Sequence, residues 1–270
     1  MTTMHKFQAS DGLRLSYAAD DYTDPWRASD TLVMIHAAMG SARRFYAWVP
    51  HLARDFRVVR LELRGHGESE IPGPTQLTFE RLTLDVVELL DHLGVAKAHL
   101  MGSSAGAFVS QSVAANYPQR IKTLACFAAT PGMKKGTTDY KSWVTRIGAS
   151  GVAAFLRETI RDRINVDAVE PGFVDWFIAE SARAPVEVLA RIVPLMASMD
   201  LAPDLPKIKC PTLIIGTDTK RRGREVFEGW QKTIPNSELA MLPMDGYHAA
   251  ATDPDLTAGV VRKFIDKQSA

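Results

Sequence analysis

The run Gly102-Ser103-Ser104-Ala105-Gly106 constrains this chain more than any other. It follows the apolar strand segment Ala98-His99-Leu100-Met101 and leads into a helical stretch carrying Phe108, Val109 and Val113. A strand that becomes a helix within so few residues must bend sharply, and the residues flanking the bend must lack bulk. A serine at that bend projects its hydroxyl clear of the sheet, at the mouth of a helix whose N-terminal amides favour negative charge. The spacing selects Ser104. Centred there, the small flanking positions fall on Gly102 and Gly106; centred on Ser103 they would fall on Met101 and Ala105, and a methionine does not fit.

On both sides of this turn, buried strands alternate with amphipathic helices. Asp11-Gly12 reads as a hairpin turn pairing 5–9 with 13–18. Strands are expected over 31–35, 58–63, 98–101, 122–127, 211–215 and 238–242. The run 31–35 is continuously apolar, as in a strand covered on both faces. Helices are expected over 41–52, from Thr78 to Gly94, up to Asn116, over 224–234 and over 255–267. Thr78 serves as N-cap, and Leu82, Val86, Leu89, Leu90 and Leu93 follow helical spacing. Between 133 and 206 the rhythm changes to helices alone. One face there carries Val152, Phe155, Leu156 and Ile160. A second helix holds Phe173, Trp176 and Phe177, and a third, starting at Pro185, meets Pro194, which should kink it. Alternation of this kind implies a mostly parallel sheet with helices on both faces.

Composition narrows the function. The 270 residues are 46% hydrophobic, enough for one large domain with an insertion, and the net charge is +1. Such a balance gives no electrostatic reason to expect nucleic acid or a membrane surface as partner. There is no apolar run of membrane-spanning length and no apolar signal core at the start, and Cys126 and Cys210 read as reduced core thiols. Together these point to a cytoplasmic protein.

Two further motifs follow buried strands: His36-Ala37-Ala38-Met39-Gly40 and Arg64-Gly65-His66-Gly67-Glu68-Ser69. With the turn around Ser104, they make the chain resemble the α/β-hydrolase superfamily, and within it the small-molecule esterases and enol-lactonases. The resemblance implies an α/β-hydrolase fold: a mostly parallel eight-stranded sheet flanked by helices. The core would be 1–132 and 207–270, with a helical lid insert over 133–206. It also implies no cofactor and no metal, a small-molecule substrate and a possible homodimer.

A serine hydroxyl needs a base to take its proton as it attacks. His248 is the only histidine after Ser104, and it lies in a loop after the last expected strand. The superfamily's chain order of serine, acid, histidine therefore points to Ser104 and His248. The acid departs from pattern. In Gly216-Thr217-Asp218-Thr219-Lys220-Arg221-Arg222-Gly223, Asp218 is the only carboxylate, while an ungapped comparison puts Lys220 at the acid position. Asp218 is taken as the acid; Glu225, Asp245 or no acid remain open. The resemblance assigns the oxyanion-binding amides to Ala38 and Ala105. It makes His36 a brace of the oxyanion loop and His66 a structural residue of its turn. His36 and Ala37 are counted among the candidate substrate-binding residues, with Arg43, Trp143 and Trp176. Arg43 and Arg44, and the run Lys220-Arg221-Arg222, could grip a substrate carboxylate or simply be solvated. Phe155, Phe173, Phe177 and Met196, with the two tryptophans, could wall an apolar pocket or pack the helices to the core.

The expected chemistry is hydrolysis of a small ester, lactone or activated amide through an acyl group on Ser104. The same scaffold also carries carbon–carbon bond hydrolysis, non-hydrolytic lyase or cofactor-free oxygenase chemistry, and non-catalytic ligand receptors.

Overall fold

The Asp11-Gly12 turn folds β1 (Met4–Gln8) back antiparallel on β2 (Arg14–Asp20). Gly12 takes φ +87°, a left-handed conformation that suits glycine. The computed structural model describes residues 3–134, 138–219, 223–244 and 246–269. After the hairpin come β3 (Asp30–Ile35), α1 (Val49–Leu52), β4 (Phe56–Leu61), α2 (Phe79–His92), β5 (Ala98–Ser103), α3 (Ala105–Asn116) and β6 (Ile121–Phe127). The helices α4 (Tyr140–Thr159), α5 (Pro171–Ser181) and α6 (Val186–Ala197) follow. The chain closes with β7 (Thr212–Thr217), α7 (Arg224–Gln231), β8 (Ser237–Leu242), α8 (Ala249–Thr252) and α9 (Pro254–Ser269).

The eight strands form one sheet in the order β1-β2-β4-β3-β5-β6-β7-β8. Only the pairs β1–β2 and β2–β4 are antiparallel. This is the α/β-hydrolase fold. The strand period of two sorts β3 onto both faces. Val33 and Ile35 join the core beneath α2 and α3, whereas Leu32 and Met34 join the core beneath α1 and α9. All four are buried, each contributing about 1.5–3 kcal/mol relative to exposure.

Thr78 caps α2 as expected, its hydroxyl accepting from the Arg81 N–H at 3.1 Å. The strand expected over 58–63 occupies 56–61 instead, because its pairing ends where β3 ends, at Ile35 opposite Leu61. The helix expected over 41–52 is a 3₁₀ turn from Ala42 to Trp48 that leads into α1. It buries Ala42, Arg44, Phe45 and Trp48 together, and Phe45 leaves the helical region to allow this. Pro194 sits inside α6 without a non-helical residue, and the sharp break falls in α4 instead, at Gly151 (φ +80°, ψ 165°). Pro194 lies in the last turn of α6, where its missing N–H leaves the turn before it one i→i−4 bond short without breaking the helix.

The helical segment between β6 and β7 leaves and rejoins the sheet at one neck. There Met133 N–H and Lys134 N–H donate to Met199 O, and Leu201 N–H donates to Pro131 O. Among the described residues, no helix is long and apolar enough to cross a membrane.

The elbow between β5 and α3 leaves no room for a side chain at either of its glycines. A Cβ on Gly102 would stand 2.3 Å from Gly106 O, and one on Gly106 would stand 2.2 Å from Ile35 O. Both collisions are with backbone, which cannot swing aside. Gly106→Ala is therefore expected to cost at least about 3 kcal/mol in denaturant unfolding. Gly94→Ala, at φ +66° but in open space, should cost only about 1 kcal/mol. Equal costs at the two positions would contradict the close backbone approach.

Candidate active site

The parallel strands β3, β5, β6 and β7 end at one edge, and the loops leaving that edge carry the candidate residues. Ser104 stands between β5 and α3 at φ 54°, ψ −115°, a strained conformation for a non-glycine residue. Its backbone is held from both sides. Ser104 N–H donates to Phe127 O at 2.9 Å, and Ser104 O accepts from Ala107 N–H at 2.9 Å. The side chain is partly exposed and caps nothing in its own helix.

The loop after β3 abuts this elbow, since the Gly106 Cβ direction runs into Ile35 O and His36 O. Two buried histidines brace the loop. His36 lies 2.7 Å from Ala37 O through Nδ1, and its Nε2 takes a hydrogen bond from Leu63 N–H at 3.0 Å. His66 lies 2.6 Å from Ala38 O through Nε2. Burial pulls His66 down to about 4, so it braces as a neutral ring. The Arg64 turn that carries His66 is anchored in the core. Arg64 forms a two-pronged ion pair with buried Asp85, at 2.5 and 2.6 Å, and reaches Asp11 in the hairpin turn. Among the described residues, Ala38 N–H donates to no acceptor, while Ala105 opens α3. His36 and the largely buried Ala37 are thus seen as loop supports.

His248 follows β8 and is only 9% exposed. Its ring packs on Phe177 of α5 at 5.4 Å and edge-on to Tyr247 at 4.9 Å. Burial, reinforced by the positive charges of Arg44 and Arg163, pushes its pKa well below the ordinary 6.5. The loop is fixed from outside the sheet. Tyr247 N–H and His248 N–H both donate to Arg163 O, at 2.8 and 3.2 Å, and Ile164 pairs with Gly246. Thr217 Oγ1 at the end of β7 donates to Gly246 O at 2.8 Å.

Neither the Ser104 hydroxyl nor the His248 ring forms a hydrogen bond with another described residue. Asp218 is exposed one residue past β7, and its carboxylate forms no hydrogen bond or ion pair with described residues. Glu225 is exposed on α7. Asp245 and the run Lys220-Arg221-Arg222 lie outside the described residues.

The two arginines after the His36–Gly40 loop part company. Arg43 turns outward, 57% exposed, and pairs with Glu180 at 3.5 Å. Arg44 turns inward and stacks 3.5 Å over the Phe177 ring. It donates to Met39 O at 3.2 Å, to Phe177 O at 3.4 Å and to the Ser181 hydroxyl. Trp176 and Phe177 also separate, as adjacent helical residues must. Trp176 faces Tyr46 and lines an outer groove with Arg43, whereas Phe177 faces His248. Trp143 stacks under Arg163, at 4.7 Å. The sequence named both arginines and both aromatics without choosing between neighbours; the structure sets Phe177 against the histidine and Arg44 against Phe177. Arg163 carried no sequence signal, because its link to His248 runs through its backbone carbonyl.

The arrangement offers a strained, accessible hydroxyl, a neutral buried imidazole and a braced loop of amides at one sheet edge. The profile of the α/β-hydrolase fold family matches residues 30–145. The chain is 24% identical over 246 residues to a putative carbamate hydrolase, RutD, of Stutzerimonas stutzeri, covering 83% of this chain and 87% of that protein. It is 29% identical over 170 residues to a 3-oxoadipate enol-lactonase of Acinetobacter baylyi, covering 58% and 59%. Its structure matches that of a hydrolase from Pseudomonas aeruginosa with a TM-score of 0.82 and 28% identity, over 97% of this chain and 98% of that one. Motifs, architecture and relatives agree: the chain has the α/β-hydrolase fold and is similar to hydrolases of that superfamily.

Proposed function

We propose that this protein hydrolyses a small ester, lactone or activated amide through an acyl group on Ser104. The observation that carries this reading is the backbone of Ser104 itself. A non-glycine residue held at φ 54° between two glycines whose Cβ atoms have no room is a costly arrangement. Its chemical return is a partly exposed hydroxyl above a helix N-terminus.

In this reading Ser104 Oγ attacks the carbonyl carbon while His248 takes its proton. The amides of Ala38 and Ala105 receive the oxyanion. His248 returns the proton to the leaving group, and water then releases the acyl group by the same route in reverse. A neutral resting imidazole supports its part as base. The Ser104–His248 hydrogen bond is expected to form with substrate in place, since such contacts often tighten only in the complex. Asp218 is proposed as the carboxylate that orients His248, and this requires its loop to swing toward the ring. The segment 133–206 is proposed as a lid over the core formed by 1–132 and 207–270. Two buried free thiols, Cys126 and Cys210, support a reducing, cytoplasmic setting.

Ser104→Ala should lower kcat on a short-chain aryl ester by about four powers of ten or more. Near wild-type turnover would reject the assignment. Asp218→Asn should slow turnover by about three to four powers of ten if the loop delivers the carboxylate; an unchanged rate removes Asp218 from the mechanism. The active imidazole is the unprotonated one, and its pKa is lowered. The rate constant kcat/KM should therefore stay level as pH falls through 6.5 and drop only below it. A half-loss of kcat/KM at pH 6.5 or above would contradict the buried, cation-flanked setting of His248.

A further inference from the structure

Two non-glycine residues among those described hold a positive φ, Ser104 at 54° and Ala128 at 51°. They stand at the ends of neighbouring parallel strands, β5 and β6. The strain at Ser104 is matched by the hydroxyl it presents. The strain at Ala128 has no counterpart in the proposed chemistry. It turns the chain out of β6 one residue past Phe127, and the Ala128 carbonyl accepts a hydrogen bond from the Tyr247 hydroxyl. A backbone held this way persists only where surrounding contacts fix it.

That hydroxyl joins the two halves of the candidate site. Ser104 N–H donates to Phe127 O at 2.9 Å, and Tyr247 Oη donates to Ala128 O. Nucleophile and histidine loop therefore hang on consecutive carbonyls. Tyr247 directly precedes His248, and the two rings meet edge-on at 4.9 Å. The loop has other anchors. Tyr247 N–H and His248 N–H reach Arg163 O in the helical segment, Thr217 Oγ1 reaches Gly246 O from β7, and Trp48 Nε1 reaches Ala250 O at 2.7 Å. Of these contacts, the Tyr247 hydroxyl alone ends on the strand that also holds Ser104. The tyrosine ring stands where the acid loop leaves the sheet. It lines a narrow gap with Phe127, Phe227, Thr217 and Thr219, and the two threonines flank Asp218.

We propose that Tyr247 is a positioning residue, whose hydroxyl, bonded to Ala128 O, sets the separation between the His248 imidazole and the Ser104 hydroxyl. The proposal rests on the assignment of the reaction to Ser104 and His248 and deepens it. A triad acid orients the ring through one imidazole nitrogen. The Tyr247 strap acts on the backbone instead and leaves both nitrogens free for proton transfer. With the loop tied beside the nucleophile and the ring packed between Tyr247 and Phe177, the imidazole is confined before substrate arrives.

Tyr247→Phe removes the hydroxyl and keeps the ring. Thr78→Ala removes the α2 cap and controls for lost stability alone. Each should lower Tm by about 2–4 °C. On 4-nitrophenyl acetate, Tyr247→Phe should lower kcat about 10- to 100-fold with KM within about 2-fold of wild type. Thr78→Ala should leave both constants within about 2-fold. A strap that only stabilised the fold would not produce this split. An unchanged kcat in Tyr247→Phe, a loss carried by KM instead, or an equal loss in both variants would overturn the proposal while leaving hydrolysis at Ser104 standing. If wild-type protein does not cleave the ester, the reaction assignment fails, and hydrogen exchange reads the strap by itself. Amides of residues 247 and 248 that exchange about 10-fold faster in Tyr247→Phe than in Thr78→Ala support it; equal rates overturn it. If Tyr247→Phe does not fold, Tyr247→Met, which fills the gap with a flexible apolar chain and no donor, takes its place in both measurements.

Discussion

The backbone contact between the first turn of α3 and the ends of β3 and β5 sets the geometry of everything near the candidate site. Gly106 presses against the carbonyls of Ile35 and His36, and Gly102 presses against the carbonyl of Gly106. These contacts are between backbone atoms, with the Ser110 hydroxyl bonding Gly106 O beside them, so the helix N-terminus stands as close to the sheet as backbone allows. Ser104 is the residue left to absorb the bend, at a strain of about 1–3 kcal/mol. The same contact fixes the loop from His36 to Gly40 beside the serine, where two buried histidines hold its carbonyls. Hydroxyl, helix amides and loop amides thus derive their relative positions from one packing constraint. The parallel sheet transmits it without adjustable side chains.

The histidine is positioned by different means. It sits in a loop after β8, and its backbone hangs on a carbonyl of the helical segment between β6 and β7. Phe177 of that segment covers one side of the ring, and Arg44 covers Phe177 in turn. Moving the segment would therefore move the histidine. Burial with two guanidinium groups nearby keeps the imidazole neutral into the acid range.

Much of this was legible in the chain. The alternation of apolar strands and amphipathic helices, the hairpin at Asp11-Gly12 and the cap at Thr78 rest on local rules that tertiary packing did not override. The glycine requirement at 102 and 106 was readable because a tight elbow leaves no room for Cβ. The region 41–52 was less legible: burial of Arg44, Phe45 and Trp48 together broke the helix that spacing suggested. Within 133–206 the helices could be read but their facing could not. Trp176 and Phe177 differ by one helical step, and nothing local says which meets the histidine. Arg43 and Arg44 present the same problem, and Arg163 acts partly through its backbone, which sequence does not encode. The departure of the acid loop from pattern, visible in the sequence, has a physical counterpart in the exposed position of Asp218.

The central claim is that the strained elbow presents an activatable nucleophile. A fluorophosphonate reagent, followed by intact-mass analysis and peptide mapping, tests it most directly, because the reagent bonds only to a serine whose proton can be withdrawn as it attacks. The account predicts one adduct per chain, on the peptide containing Ser104, with labelling much slowed in His248→Ala. An unlabelled protein, or an adduct on any other residue, would contradict it.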